Sequence, residues 1–382
     1  MEVIVHVGTF KTGTTAIQET LRGHQSDFLK QGLLFSEVYH DPGQHPLVAL
    51  ISDDVPPFFL QQFGDDHSNL NRMAWDSLDK IRRDIKRCQP SKVVISSELF
   101  LCSKLTDVAP EPGRYKRLRD LLTPLGGHLK FVCYVRAPAP YYLSLAQQEL
   151  HRSAEVVSPR PLRIRNFIEG LEAETDTPVL VRGYNPNSIP GWDAVRDFVE
   201  NAVGCDMPSN LNRGIRANAT MSAEAMSISA AYRRATCFGM NGRDVPEHRH
   251  AMNLLASCEH SAGGSSKPRL KPEVASAVTR ASEDLLWLRD CHEIEFSGVD
   301  YDSIDGVMPE EVSSLRRIDE ICEVDPLRRD ELLMRLLHPG LEAQLKLVRI
   351  VNKRPITWAR RARRHLKIAA SPYFRHAQQQ AS

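Results

Sequence analysis

The chain has 382 residues, 42% of them hydrophobic and 25% charged, and its formal net charge is +1. This length permits one large α/β domain or two smaller ones, with enough apolar residues for a sizeable core. The nearly balanced charge excludes the global positive field that nucleic-acid-binding proteins carry, so we expect no nucleic-acid partner.

Two further features concern the cellular compartment. The eight cysteines are scattered and contain no Cys-x-x-Cys pair, which is typical of reduced thiols rather than of a disulfide framework. No apolar run approaches the roughly 18 residues of a membrane span, and the chain enters its first strand at once, which leaves no room for a secretory signal. We therefore expect a cytoplasmic protein.

The first predicted element is a buried strand over residues 3–7, which leads into a turn that starts at Gly8 and then into a helix. A strand, a glycine-rich turn and a helix N-terminus together bind phosphate, because the first-turn N–H groups lack intrahelical partners and the helix dipole is positive there. The turn also supplies an ammonium group, three hydroxyl groups and a glycine, from Lys11, Thr12, Gly13, Thr14 and Thr15. We predict that these residues bind a phosphate-containing cofactor.

The spacing of this turn differs from that of a nucleoside-triphosphate loop, G-x-x-x-x-G-K-[ST]. Gly8 and Gly13 keep the glycine spacing, but Thr14 stands where that loop has its lysine. Lys11 instead lies two residues before the second glycine. The shift indicates a phosphate ligand that is held differently from Mg-ATP. The alternative is an ordinary strand-to-helix turn that happens to contain a lysine.

The middle of the chain alternates between strands and helices. After a short strand at 31–35, the Pro-, Gly-, Asp- and His-rich stretch 41–71 is predicted to be irregular and surface-exposed. The other elements up to residue 203 are predicted as strands at 92–98, 129–135 and 178–182 and helices at 73–88, 114–122, 138–149, 162–172 and 193–203. Apolar strands that alternate with helices indicate a parallel sheet covered on both faces.

Polar residues follow the carboxyl ends of three of these strands, where such sheets bind ligands. These residues are Lys11, Glu98 and Arg136. Ser144 lies eight residues after Arg136 on the predicted helix 138–149, about two turns along it. A guanidinium fork and a hydroxyl suit a phosphate monoester, if Ser144 leans towards the helix N-terminus. The alternative is an arginine on a surface turn and a serine on a wet helix face.

The second half of the chain is predicted to be helical, with helices at 222–234, 272–288, 309–321 and 330–337 and a Gly/Ser linker at 261–268. We predict one domain over 1–340, in which 205–340 forms a mainly helical cover, and a basic C-terminal tail over 341–382. Residues 343–382 contain ten basic residues and no acidic one. Such a segment suits peripheral contact with an anionic membrane or glycan, and a solvated tail is the alternative.

Taken together, the Lys11–Thr15 turn and the Arg136–Ser144 pair resemble the donor site of sulfotransferases that use 3′-phosphoadenosine 5′-phosphosulfate (PAPS). The similarity is to bacterial sulfotransferase-like proteins with a Lys-Thr-Gly-Thr-Thr loop, and it covers roughly residues 1–230. The glycine-rich Lys-Gly loop that ends the classical nucleotide site is not evident. The fold predicted from sequence and resemblance is α/β, a P-loop NTPase-like three-layer fold with a central parallel sheet and a helical C-terminal half.

The resemblance implies a reaction. A sulfuryl group would pass from PAPS to a hydroxyl or amine of an acceptor, expected to be a carbohydrate or glycolipid, with no metal required. The Lys11–Thr15 turn would cradle the 5′-phosphosulfate, and Arg136 with Ser144 would hold the 3′-phosphate. Lys11 at the bridging oxygen would neutralise the charge that develops on the leaving phosphate.

The acceptor also needs a base. Glu98 closes the strand 92–98, where many sulfotransferases place their base, and a carboxylate there can accept the acceptor's proton. His45 is the alternative base or an acceptor contact. A capping or salt-bridged Glu98 and a solvated His45 are the structural alternatives. His6, inside the first strand, is predicted to be a packed histidine that faces the site.

Two other functions stay open on sequence alone. One is a P-loop nucleotide kinase or hydrolase, which would bind Mg-ATP. The other is a non-catalytic relative that has kept the nucleotide pocket. A metal site is not expected, since the spacing of His248, His250, Cys258 and His260 matches no zinc pattern.

Overall fold

A five-stranded, all-parallel sheet lies at the centre of the computed structural model. Its strands are β1 Glu2–His6, β2 Leu33–Phe35, β3 Lys92–Ser96, β4 His128–Arg136 and β5 Val179–Tyr184. They are ordered β2-β3-β1-β4-β5, so β1 has a neighbour on each side. His6 pairs with Ser96 of β3 and with Val132 of β4. The predicted α/β class with a central parallel sheet is confirmed.

The structure describes residues 1–38, 43–52, 55–101, 111–184, 193–209, 221–237, 240, 242–261 and 266–337. The chain divides into two units, Met1–Pro326 and Leu327–Ser382, and residues 327–337 of the second are described and helical. The predicted basic tail at 341–382 lies outside the described residues. Within the described part of the chain, no helix has the length and apolar character needed to cross a membrane.

Helices connect and cover the strands. The α-helices of the first unit are α1 Thr14–Gly23, α2 Gln25–Lys30, α3 Pro57–Leu60, α4 His67–Cys88, α5 Arg114–Leu122, α6 Pro138–Glu149, α7 Arg165–Thr175, α8 Ala194–Arg196, α9 Ala223–Thr236, α10 Pro246–Ser261, α11 Pro272–Arg280, α12 Asp284–His292, α13 Glu310–Ser313 and α14 Ile318–Ile321. Short 3-10 helices lie at His45–Leu50, Gln61–Phe63, Thr123–Leu125 and Tyr301–Ser303, and a π-helix at Asp197–Val203 continues α8. The predictions 114–122 and 138–149 match α5 and α6.

Both faces of the sheet are covered by helices. Successive side chains of β1 point to opposite sides of the sheet, so this strand packs against both layers. Val3 and Val5 pack into a cluster with apolar residues of α4, α5 and α7. Ile4 packs into a separate cluster with residues of α1, α2 and the π-helix. All three β1 side chains are fully buried. The arrangement is a three-layer α/β architecture.

The prediction of an exposed, irregular stretch at 41–71 is wrong. Its described part contains the 3-10 helix His45–Leu50, α3 and the start of α4, and Leu47, Val48 and Phe59 are 0–3% exposed. These side chains complete the apolar cluster on the α4 side of the sheet. Prolines and polar residues interrupt the apolar positions, so no helical period is visible in the sequence.

The helical second half also differs from prediction in detail. The predicted helix 272–288 is two helices, α11 and α12, and 309–321 contains only the short α13 and α14. Helix α10 was not predicted, because two of the residues on its buried face are polar, namely His248 and Glu259. Beyond Cys205, the described residues form one isolated bridge, Leu270 to Cys322, and no strand.

A buried carboxylate joins the sheet to the π-helix. Asp197 accepts a hydrogen bond from the Tyr134 hydroxyl at 2.6 Å and two from the Arg182 guanidinium, also at 2.6 Å. Burial alone would raise the pKa of Asp197, but the hydrogen bonds from Arg182, Tyr134 and Asn201 outweigh it, and the pKa lies below its ordinary value. The ionised form is therefore the one that stabilises the fold.

The Asp197→Asn substitution should lower the free energy of unfolding by about 2–3 kcal/mol, since it leaves the partly buried Arg182 guanidinium without a counter-ion. The matched control is Asp79→Asn, which breaks a solvent-exposed ion pair with Arg82. That change should cost no more than about 1 kcal/mol. Urea denaturation measures both, and equal losses would contradict the assigned role of Asp197.

Candidate functional site

The turn between β1 and α1 contains residues with positive φ. Lys11 has φ 65° and Gly13, which precedes α1, has φ 84°. A side chain at Gly13 would also approach the Tyr184 ring to 3.1 Å, so the position requires glycine for two reasons. The loop is tied to the sheet by the Thr9 hydroxyl, which donates to the Tyr134 carbonyl at 2.9 Å.

The threonines of this turn differ in their roles. Thr12 is fully buried and its hydroxyl donates to the Thr9 carbonyl at 2.7 Å, so it braces the loop rather than facing a ligand. Thr14, the first residue of α1, is 5% exposed, and its hydroxyl oxygen is buried with no hydrogen-bond partner. Thr15 is only half-buried. The predicted turn between β1 and α1 is formed, with the Thr14 hydroxyl as its unsatisfied group, and its binding of phosphate stays a prediction.

His6 presents a second unsatisfied atom to the same space. Its Nε2 is buried without a hydrogen-bond partner. A β-carbon on Gly8 would lie 3.3 Å from this Nε2 and 3.2 Å from Thr14 Oγ1, so both atoms face the first glycine of the loop. Buried polar atoms are costly when unpaired, and two of them beside a helix N-terminus indicate an anion site.

A buried relay sets the tautomer of His6. The Gln18 amide donates to Ser96 Oγ at 3.0 Å, and Ser96 Oγ lies 2.9 Å from His6 Nδ1. Because the Ser96 oxygen accepts from Gln18, we assign the Ser96 hydroxyl as the donor to His6 Nδ1. Nδ1 then carries no proton, and the imidazole proton is on Nε2. Burial lowers the pKa of His6 to about 3. His6 is therefore a neutral donor that points at the loop.

Charged groups converge on Lys11. Arg136 donates to the Lys11 carbonyl at 3.2 Å. Burial lowers the pKa of the Lys11 ammonium, the Glu98 carboxylate opposes this change, and the nearby cations Arg136 and Arg152 add to it. Three cations thus share the neighbourhood of one carboxylate, which favours a bound anion.

Arg136 and Ser144 lie where the sequence places them, at the end of β4 and on α6. Arg136 Nε is buried with no hydrogen-bond partner, and its guanidinium carbon lies 5.4 Å from the centroid of the Tyr184 ring. The half-buried Ser144 makes no hydrogen bond to any residue that the structure describes. Both groups therefore keep hydrogen-bonding capacity for a ligand.

Glu98 and His45 meet at the end of β3. His45 Nδ1 lies 3.8 Å from Glu98 Oε2 and 2.8 Å from Ser97 Oγ. Gln44 holds this contact in place: its backbone N–H donates to the Ser96 carbonyl at 2.9 Å, and its side-chain oxygen accepts from the Ser96 N–H at 2.7 Å. His45 is 7% exposed, so the alternative of a solvated histidine is wrong.

The turn that carries Glu98 is clamped from α5. Arg114, 2% exposed, donates from Nη2 to the Leu99 carbonyl and from Nε to the Phe100 carbonyl at 3.3 Å. Tyr115 donates its hydroxyl to the Leu101 carbonyl at 2.7 Å. Glu98 Oε2 itself is buried and accepts no hydrogen bond. A carboxylate oxygen that accepts no hydrogen bond and lies 3.8 Å from His45 Nδ1 can accept a proton from a ligand.

The structure brings together Lys11, Arg136, Glu98 and His45, and it adds three groups that the sequence did not single out: Gln18, Ser96 and Arg152. Arg152 follows Ser144 by eight residues, again about two helical turns, and this repeat was the only available signal. No sequence signal identified Gln18 and Ser96, because their role depends on a contact between β3 and α1.

No protein-family model matches the chain, and no curated protein matches it at a significant level. Among the described residues there is also no group of three or more His, Cys, Asp or Glu side chains that could hold a metal ion. The function must therefore be argued from the geometry above.

His6 should make stability depend on pH. Its pKa is about 3 in the folded protein and 6.5 in an ordinary environment, so between these values the unfolded chain binds a proton that the folded protein does not. Lowering the pH from about 6 to about 4 should therefore cost up to about 1.4 kcal/mol of unfolding free energy per pH unit from this residue.

The comparison of wild type with His6→Asn isolates this contribution, because the variant has no imidazole to protonate. Its unfolding free energy, measured by urea denaturation at each pH, should fall less steeply over that window. His128→Asn, at an exposed position, should keep the wild-type slope. Parallel slopes for wild type and His6→Asn would show that His6 is not held neutral.

Proposed function

We propose that the protein is a PAPS-dependent sulfotransferase with a P-loop NTPase-like fold. The observation that carries this proposal is the pair of anion-binding groups on either side of Lys11. One is the N-terminus of α1 with the unpaired Thr14 hydroxyl, and the other is Arg136 with its unpaired Nε. A donor with a 5′-phosphosulfate and a separate 3′-phosphate matches two such groups.

The sheet order supports the finer assignment of the fold. β1 lies between β3 and β4, and the loop after β1 leads directly into α1 at the carboxyl edge of the sheet. This is the position from which a glycine-rich loop presents backbone N–H groups to a phosphate.

The proposed reaction is an in-line transfer. The acceptor oxygen or nitrogen forms a bond to sulfur as the bond between sulfur and the bridging oxygen of the 5′-phosphate breaks. The acceptor's proton passes to Glu98, and adenosine 3′,5′-bisphosphate leaves with the electron pair on its phosphate oxygen. Lys11 stabilises the charge on that oxygen, which is the interaction that grows in the transition state.

Glu98 is the better candidate for the base, and His45 orients it. Glu98 Oε2 accepts no hydrogen bond, whereas His45 Nδ1 is already engaged by Ser97 Oγ at 2.8 Å. The acceptor class, a carbohydrate or glycolipid, rests on the resemblance of the sequence motifs alone.

A kinase or hydrolase acting on Mg-ATP is the second candidate. The formed phosphate loop favours it, but Thr14 rather than a lysine follows Gly13. The lysine that reaches the β- and γ-phosphates in such enzymes therefore has no counterpart at that position.

Calorimetric titration tests the donor. Adenosine 3′,5′-bisphosphate should bind without Mg²⁺ and more tightly than either 5′-AMP or Mg-ATP. Arg136→Ala should reduce the preference over 5′-AMP about tenfold or more, because a charge-assisted hydrogen bond to the 3′-phosphate is lost. Arg82→Ala, an exposed arginine on α4, is the matched control and should change nothing. Tighter binding of Mg-ATP would replace the proposal with the kinase candidate.

The conversion of PAPS to adenosine 3′,5′-bisphosphate tests the base. With a mixture of mono- and disaccharides as acceptors, Glu98→Gln should lower the rate about 100-fold or more at unchanged donor affinity. His45→Asn, which removes an orienting contact, should lower it less. The reverse ranking would make His45 the base. No turnover by the wild type with any acceptor would favour the non-catalytic alternative.

A further inference from the structure

Arg152, just beyond α6, is a cation without a counter-ion. It is half-buried, and its guanidinium carbon lies 3.5 Å from the centroid of the Phe58 ring. Glu149 and Asp244 are its nearest acidic groups, but neither forms an ion pair with it, and Asp244 is paired with Arg249. Among the described residues, no acceptor lies within hydrogen-bond distance of its side-chain nitrogens.

The stacked geometry leaves these nitrogens available. A guanidinium that lies flat on an aromatic ring directs its N–H groups sideways, in the plane that suits a carboxylate or phosphate. None of the Arg152 nitrogens is among the atoms sealed from solvent. The hydrogen-bonding edge of Arg152 therefore keeps contact with solvent.

The backbone at Arg152 is fixed by the helical half of the chain. Arg233 of α9, 1% exposed, donates to the His151 carbonyl at 3.1 Å and to the Met240 and Arg243 carbonyls at 2.7 Å. The Gly242 N–H donates to the Arg152 carbonyl at 2.9 Å. The completely buried Arg233 thus holds the turn that carries Arg152. This arrangement indicates that the position of Arg152 is important.

Helix α3 connects Arg152 with the histidine beside the proposed base. Helix α3 bears Phe58, under Arg152, and Phe59, whose ring centroid lies 6.2 Å from that of His45. Helix α6 has twelve residues and separates Arg136 at its start from Arg152 beyond its end by about 18 Å of helix. Arg136 and Arg152 therefore approach Lys11 from opposite ends of α6, and α3 connects Arg152 through Phe58 to His45 through Phe59.

We propose that Arg152 binds an anionic group of the acceptor, so that the substrates are acceptors that already carry a carboxylate, phosphate or sulfate. The identification of the ligand as the acceptor rests on the proposed function, but the anion site itself does not. A bound anion would also offset the repulsion between Arg152 and Lys11.

The test uses methyl phosphate as the anion and protein saturated with PAPS, so that the sulfuryl position is already filled. Wild type should bind methyl phosphate saturably in a calorimetric titration. Arg152→Gln should weaken this binding about tenfold or more, as expected for the loss of a charge-assisted contact. Arg152→Lys keeps the charge but not the fork, and should fall between the two.

Two controls locate the effect. Arg234→Gln removes an exposed positive charge from the neighbouring α9 and should leave methyl phosphate binding within about twofold of wild type. Affinities for PAPS and for adenosine 3′,5′-bisphosphate should be equally unaffected by Arg152→Gln. A loss of donor affinity would assign Arg152 to the donor and overturn the inference.

The remaining outcomes are also decisive. Wild type that fails to bind methyl phosphate, or variants that bind it as wild type does, would overturn the inference. Wild type that binds methyl phosphate through Arg152 but does not bind PAPS would keep the anion site and remove the proposed sulfotransferase function instead.

Discussion

The pairing of β1 with β3 on one side and β4 on the other is the constraint on which the candidate site depends. Because all three strands are parallel, their carboxyl ends meet at one edge of the sheet. The segments that follow them carry Lys11, Glu98 and Arg136. Burial of Val3, Ile4 and Val5 on opposite faces fixes the register of β1, since a shift by one residue would exchange the two faces.

The chemical character of the site follows from incomplete charge compensation. The single carboxylate of Glu98 faces the ammonium of Lys11 while two guanidinium groups, those of Arg136 and Arg152, lie close to the same lysine. His6 adds a neutral donor rather than a fourth charge, because its burial prevents protonation. Under the proposed function, this excess of positive charge favours multiply charged anions, and the unpaired Thr14 hydroxyl and Arg136 Nε keep donors for them.

The sequence motifs predicted the local parts of this site but not its supports. A glycine-bounded turn between a strand and a helix identifies Lys11 and Thr14 from chain order alone, and a strand followed by Arg136 does the same. The supports act between segments far apart in the chain. Arg114 clamps the Glu98 turn, and Gln18 reaches Ser96 over 78 positions, so neither contact leaves a pattern in a local window.

By itself, the sequence determined the α/β class, the position of the glycine-bounded turn before α1 and the strand ends that bear charged residues, because these depend on local periodicity and on glycine placement. Only the tertiary structure decided that His45 is buried against Glu98, that Leu47, Val48 and Phe59 belong to the core, and that Arg152 has no ion pair among the described residues. Burial and charge pairing are properties of neighbours in space. Residues that are about a hundred positions apart in the chain acquire burial and charge pairing only when the layers of the fold pack together.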